Sequence, residues 1–237
     1  GLAEDDPRIA TLLEELADDP RLQIQGFLAH AGHTYNARNP EEIRAIDAAA
    51  KAMMSRMSDK YSAICPDLQV SLGDTPGCSV VKDFSGVDEL RPGNLVFYDV
   101  QQYRLGACTV DQIAIALACP VIATHANKLI VHGGGVHCSK DSVTDDEGET
   151  YYGLAVGMPG DDWGLGWGDR LNGLRLTALS QEHGTLTGPA ATLERYNPGD
   201  LVLVLPIHSC MTASNMKAYT TLDGKRLMHL EGEYPLG

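Results

Sequence analysis

The sequence predicts an α/β body followed by an all-β domain, on three observations. Up to about Gln102, apolar runs of strand length alternate with helical periodicity, the texture of successive βα units. Polar residues gather at the C-terminal ends of those strands, where parallel α/β structures keep their sites. Past Leu105 helical periodicity fades, and short β-rich runs separated by Gly, Pro and Asp replace it. The expected division is residues 1–105 and 106–237.

In order, Ile9, Leu12, Leu13 and Leu16 recur at i, i+3, i+4 and i+7 and predict an amphipathic helix over Pro7–Leu16. Leu22, Ile24 and Gly26–Leu28 form a strand that ends in the polar cluster His30, Gly32, His33, Thr34, Tyr35. Asn39 ahead of Pro40-Glu41-Glu42 is a helix-start signature. The long helix it opens presents Ile43, Ile46, Ala49, Ala50, Met53 and Met57 on one face. A second strand, Leu68–Leu72, runs into Gly73-Asp74-Thr75-Pro76, and a third, Asn94–Tyr98, follows the turn Arg91-Pro92-Gly93. Ile113–Ala123, Lys128–His132, Tyr151–Val156, Leu174–Leu179 and Asp200–Leu205 are the strands expected beyond.

With 43% hydrophobic residues the 237-residue chain can bury one good core or two modest ones. A net charge of −14, with 18 basic residues scattered rather than clustered, disfavours nucleic acid and anionic membrane surfaces as partners. The longest apolar stretch, Ile113–Ala123, is broken by Pro120 and falls short of the roughly 20 residues of a spanning helix. Six irregularly spaced cysteines favour free thiols and a cytoplasmic location. The first residues carry neither an initiator Met nor the pattern of a secretory signal, and they open inside an apparent helix, which suggests a chain cut from something longer.

The sharpest local signal is Leu205-Pro206-Ile207-His208-Ser209-Cys210. If strand geometry persists there, His208 and Cys210 project to one face, and an imidazole with a thiolate suits zinc. A core cysteine beside a surface histidine is the plain alternative. The chain has no CxxC pair, so a zinc here would keep open positions, as catalytic sites do. Ser71–Gly77 follows a strand and offers small residues for a phosphate, although Asp74 adds an unhelpful charge and a tight turn explains the pattern equally well. His33 and Tyr35 stand at a strand end, and Glu182-His183 at a turn in the β domain, where either acid/base work or plain hydrogen bonding would account for them. Within His132–Asp141, Lys140 is expected on the surface, without a catalytic role.

HAGHTY, VSLGDTP, ELRPGNLVFYD, GGGVHCSKD, SQEHG and PIHSC occur in an order that resembles the eukaryotic-type D-serine dehydratases and the related D-threonine aldolases, over almost the whole chain. That resemblance implies an alanine-racemase-like fold, the C-terminal part of a (β/α)8 barrel followed by a β domain. It also implies pyridoxal 5'-phosphate and zinc as cofactors and a small D-amino acid as substrate. Tyr35 and Tyr98 would line the cofactor pocket, and Gly73, Asp74 and Thr75 would form the phosphate turn. His208 and Cys210 would hold the metal, while His33 and His183 are the candidate acid/base groups.

The family has a small neutral residue where Asp74 stands. Its Schiff-base lysine lies on the first barrel strand, a region without counterpart among the seven lysines here, so the chain is expected to be inactive alone. D-serine dehydration to pyruvate and ammonia is the leading expectation. D-threonine aldolase activity and an inactive truncated zinc-binding module are the alternatives. The resemblance further implies a homodimer of the complete protein.

Overall fold

A computed structural model describes residues 1–158 and 166–229. The chain divides into two compact units, Gly1–Leu95 with Leu105–Ala107, and Val96–Arg104 with the described part of Cys108–Gly237.

In the first unit, α1 (Arg8–Ala17) precedes β1 (Gly26–Ala29), a 3-10 turn spans Gly32–Asn36, and α2 (Pro40–Tyr61) leads to β2 (Gln69–Leu72), α3 (Thr75–Val80) and β3 (Glu89–Leu90). The three strands form a parallel sheet in the order β1-β2-β3, with Phe27 opposite Val70 and Ser71 opposite Glu89. Asn39 caps α2 by accepting the Glu42 N–H at 2.9 Å, with Pro40 at the first helical position. The buried face of α2 is Ile43, Asp47, Met54, Met57 and Tyr61, a stripe rotated from the expected one. Ile46 and Met53 are half-buried and Ala49 is exposed. Asp47 is tolerated on that face because Lys51, one turn on, holds its carboxylate at 3.0 Å. Tyr61 in turn meets Phe27 of β1, with ring centroids 5.8 Å apart.

The expected strand over Asn94–Tyr98 is absent. Glu89–Leu90 supplies the third strand, and Asn94–Tyr98 is turn, where Tyr98 takes a left-handed backbone with φ 48°. The apolar pattern Leu95-Val96-Phe97 reads as strand, but a chain that reverses at Tyr98 cannot continue a ladder.

The second unit opens with α4 (Val100–Arg104) and a 3-10 turn over Val110–Gln112, followed by β4 (Leu117–His125), β5 (Lys128–His132) and α5 (Gly135–Cys138). Next come the short pair β6 (Val143–Thr144) and β7 (Thr150–Tyr151), then β8 (Gly153–Val156), α6 (Trp167–Arg170), β9 (Leu171–Leu179) and β10 (His183–Thr187). The unit ends with α7 (Ala190–Leu193), β11 (Leu201–Pro206), α8 (Ser209–Met216), β12 (Ala218–Thr220) and β13 (Arg226–Met228). Six antiparallel strands close a barrel in the order β10-β5-β4-β11-β8-β9. Its interior is filled by alternate residues, among them Cys119, Val121, Leu129, Val131, Leu176, Val202 and Val204.

Strand β11 is buried from Val202 to Pro206. Val202 and Val204 face the barrel interior, while Leu203, Leu205 and then Ile207 pack with Val100, Ile113 and Tyr151 in a second cluster. An unbroken run of apolar residues is what a strand covered on both faces requires, each side chain contributing about 1.5–3 kcal/mol on burial.

Beyond Pro206 a buried carboxylate fixes the chain. Asp99 accepts the Gln102 N–H at 2.9 Å through one oxygen and the Ser209 N–H at 3.0 Å through the other, so it caps the starts of both α4 and α8. Asp99, Gln102 and Ser209 are all fully buried. Asp99→Ala leaves two buried amide donors without acceptors and is expected to cost about 2–4 kcal/mol, read as a lower urea midpoint. A loss under about 1 kcal/mol, the worth of one ordinary exposed cap, would contradict this double role.

Candidate functional site

The helix start that Asp99 pins carries the expected metal pair. Strand geometry does not persist through it: β11 stops at Pro206, His208 is the N-cap residue of α8, and Cys210 sits in that helix's first turn. Both residues are half-buried. The Nδ1 of His208 lies 3.2 Å from a carboxylate oxygen of Asp141, on the loop after α5. Burial pushes the Cys210 thiol up, the negative charge of Asp99 adds to that, and the Ser209 hydroxyl partly offsets it. No group of three or more His, Cys, Asp or Glu side chains among the described residues is arranged to hold a metal. The shared face expected from strand geometry is therefore not what brings His208 and Cys210 together; they stand two residues apart at a helix start, and an imidazole with a sulfur is a donor pair that would suit zinc. Asp141 was not among the expected site residues. The signal for it was the Ser-Lys-Asp ending of GGGVHCSKD, where the glycines and Lys140 drew attention instead.

In the first unit, the expected cofactor residues Tyr35, Gly73, Asp74 and Thr75 come together. The Thr75 N–H points at the Tyr35 hydroxyl at 3.3 Å, and Thr75 is fully buried. Asp74, however, is an internal cap. The residue is 2% exposed, and its carboxylate accepts the Gly77 N–H at 2.6 Å and the Thr34 hydroxyl at 2.7 Å. This removes Asp74 as a direct phosphate contact, since the carboxylate is turned inward onto two donors. Gly73 is required by close approach: a Cβ there would stand 2.5 Å from the Arg91 carbonyl oxygen. Of the two imidazoles in HAGHTY, His30 joins this turn, with Nδ1 2.5 Å from the Gly73 carbonyl, while His33 stays exposed on the 3-10 turn. Tyr98 lies in the second unit and packs against the cluster around Val100 and Ile113.

His183 begins β10 directly opposite His132 of β5. The ring centroids of His132 and His183 are 6.2 Å apart, and His137 approaches His132 edge-on at 4.7 Å. The glycine run before His137 lets the backbone pass under the His183 turn, since a Cβ on Gly134 would stand 2.5 Å from the His183 nitrogen. Nδ1 of His137 accepts the Gly134 N–H at 3.1 Å.

Burial, then repulsion from His132, holds the His137 imidazole below its ordinary range, with Glu182 opposing. The sign follows from linkage. Above the unfolded value of about 6.5 the ring is neutral in both states; as pH falls towards the lower folded value, the unfolded chain takes up the proton first and stability is lost. Unfolding free energies measured between pH 7.5 and 5 are expected to decline less steeply in His137→Gln than in the native chain. Equal slopes would contradict the assignment.

The comparisons with known proteins fall on these same elements. Residues 114–222 match the family described as "Putative serine dehydratase domain". The chain is similar to D-serine dehydratases. It is 28% identical over 233 residues to the D-threo-3-hydroxyaspartate dehydratase of Delftia sp., covering 94% of this chain and 59% of that protein. It is 27% identical over 212 residues to the D-serine dehydratase of Dictyostelium discoideum, covering 85% and 51%. The solved Delftia structure superposes with a TM-score of 0.78 at 27% identity over 96% of this chain and 61% of that one. An alanine-racemase-like protein from Idiomarina loihiensis, at 24% identity and a TM-score of 0.80, supports the fold. The chain thus spans just over half the length of the curated relatives it matches. No helix among the described residues is long and apolar enough to cross a membrane.

Proposed function

We propose that this chain forms the metal-bearing part of a lyase that removes water from a small D-β-hydroxy amino acid, with D-serine the first candidate. The observation that carries the reading is that His208 and Cys210 stand two residues apart at one half-buried helix start, with Asp141 beside the imidazole. Relatives that dehydrate D-serine and D-threo-3-hydroxyaspartate support the substrate class, because both compounds carry a hydroxyl on the β-carbon.

His208 and Cys210 would hold zinc, while the Tyr35 hydroxyl, beside the Gly73–Thr75 turn, would meet the phosphate of pyridoxal 5'-phosphate. The metal supplies a Lewis acid for the departing hydroxyl and the pyridine ring an electron sink. Cys210 favours zinc over a harder ion, which supports dehydration over an aldol cleavage at this site. Asp74 is hydrogen-bonded inside the turn, and the half-buried Tyr35 is the polar group at its surface. A (β/α)8 barrel completed by further chain is the architecture in which these parts would act.

Cobalt(II) in place of zinc makes the site visible. The native chain is expected to take up one equivalent and to show a thiolate-to-cobalt absorption that is lost in the His208→Ala, Cys210→Ala double variant. D-serine, and not L-serine, is expected to alter the spectrum. No uptake, or uptake equal in the double variant, would overturn the metal assignment; a spectrum indifferent to both enantiomers would overturn the substrate assignment.

A further inference from the structure

We infer that the short helix α5 is a proton-sensitive latch: a proton taken up on Nδ1 of His137 removes the acceptor that closes its first turn, and the turn then lets go of α8. The contact that decides this has a fixed direction. The Gly134 N–H donates to Nδ1 of His137 at 3.1 Å. A backbone amide only donates, so that nitrogen carries a lone pair and the neutral ring keeps its proton on Nε2. The next proton can enter only at Nδ1, where it would face the Gly134 N–H, donor against donor. Gly134 is buried, so its amide is then left without an acceptor, the costly way to lose a hydrogen bond.

The groups around the ring oppose its charging. His137 is half-buried, with the exposed His132 of β5 edge-on to it and the exposed His183 of β10 beyond. Lys140 passes alongside Gly135 at the start of α5, and Glu182, in the turn before β10, acts in the opposite sense. From α8 comes the neutral Thr212; the titratable groups of that helix, His208 and Cys210, precede it. Burial first and His132 second hold the closed His137 imidazole below its ordinary range. Opening the turn returns the ring to its usual value near 6.5, so opening takes up a proton and is favoured as pH falls. Below about pH 6.5, and down to the lower closed value, the open population grows by up to about tenfold per pH unit.

The turn is tied at both ends. The Gly135 and Val136 amides donate to the Ser180 and Gln181 carbonyls at 2.9 and 3.1 Å, and the Gly134 carbonyl accepts the His137 and Cys138 amides at 2.9 and 3.1 Å. At the far end the Cys138 carbonyl accepts the Thr212 hydroxyl of α8 at 3.1 Å. Moving Gly134 away from a charged ring therefore withdraws the acceptor of α5's own amides and, with them, the carbonyl that holds Thr212. Acid thus loosens the helix that carries His208 and Cys210 without either of them titrating, whether or not that helix holds a metal.

The test is amide hydrogen exchange on the 237-residue chain between pH 7.5 and 5.5, corrected for the intrinsic rate, with His137→Gln and His132→Gln as variants. Protection of the His137, Cys138 and Ser139 amides is expected to fall by up to about tenfold per pH unit below about 6.5, with Thr212 following and Val131, Val202 and Val204 of the barrel holding. In His137→Gln, whose side-chain oxygen can still accept the Gly134 N–H but never charges, the fall is expected to vanish; in His132→Gln it is expected to lessen. Nitrogen-15 spectra at pH 8 are expected to show His137 unprotonated at Nδ1. A native profile flat with pH, an unaltered slope in either variant, or a ring protonated at Nδ1 at pH 8 overturns the inference. Barrel amides that lose protection in step with α5 overturn it too, by making the opening global. A Thr212 amide that stays protected while α5 opens overturns the link to α8.

Discussion

The candidate site depends on the buried carboxylate of Asp99. Two helices of the second unit begin where it sits, and each would otherwise bury an N–H with no acceptor. By serving both, Asp99 fixes where β11 ends and where α8 begins, and so the backbone from Pro206 to Cys210. The left-handed backbone at Tyr98 turns the chain into this position. The cost is electrostatic, because the same negative charge helps keep the Cys108 and Cys210 thiols protonated; burial comes first in both cases, and Cys108 is pushed up to about 11.

That cost gives the site a chemical bias. A thiol raised by burial and by a neighbouring carboxylate is a poor nucleophile in the free chain and becomes a good ligand only for an ion that can displace its proton. Cys119 and Cys138, pushed up to about 12 and about 11 by burial, share the inertness but lie inside the barrel. All six cysteines are free thiols. Cys210 is set apart by its neighbours: an imidazole two residues away, at a helix start that is only half-buried.

Much of this was legible in the sequence. Asn39-Pro40 announced α2, the changed texture past Leu105 announced the β-rich run, and six ordered motifs announced the similarity to D-serine dehydratases. The failures have physical causes. Leu95-Val96-Phe97 carries strand-like side chains, but tertiary capping at Asp99 bends the backbone into a turn. The polar segment Ser209–Met216 has no amphipathic period, so nothing local reveals that a distant aspartate starts a helix there. Asp47 on the buried face of α2 and Asp74 inside its turn both read as exposed charges until Lys51 and Thr34 supply their partners. Asp99 is a single residue, and nothing local shows that it also accepts the Ser209 N–H 110 positions away.

X-ray absorption at the zinc edge of the loaded chain tests the assignment of that site most directly. One sulfur at about 2.3 Å and one imidazole nitrogen at about 2.0–2.1 Å, with lighter oxygen scatterers completing the shell, is the expected result. A shell without sulfur, or one with two or more sulfurs, would mean that the ion lies elsewhere and that His208 and Cys210 are not its ligands.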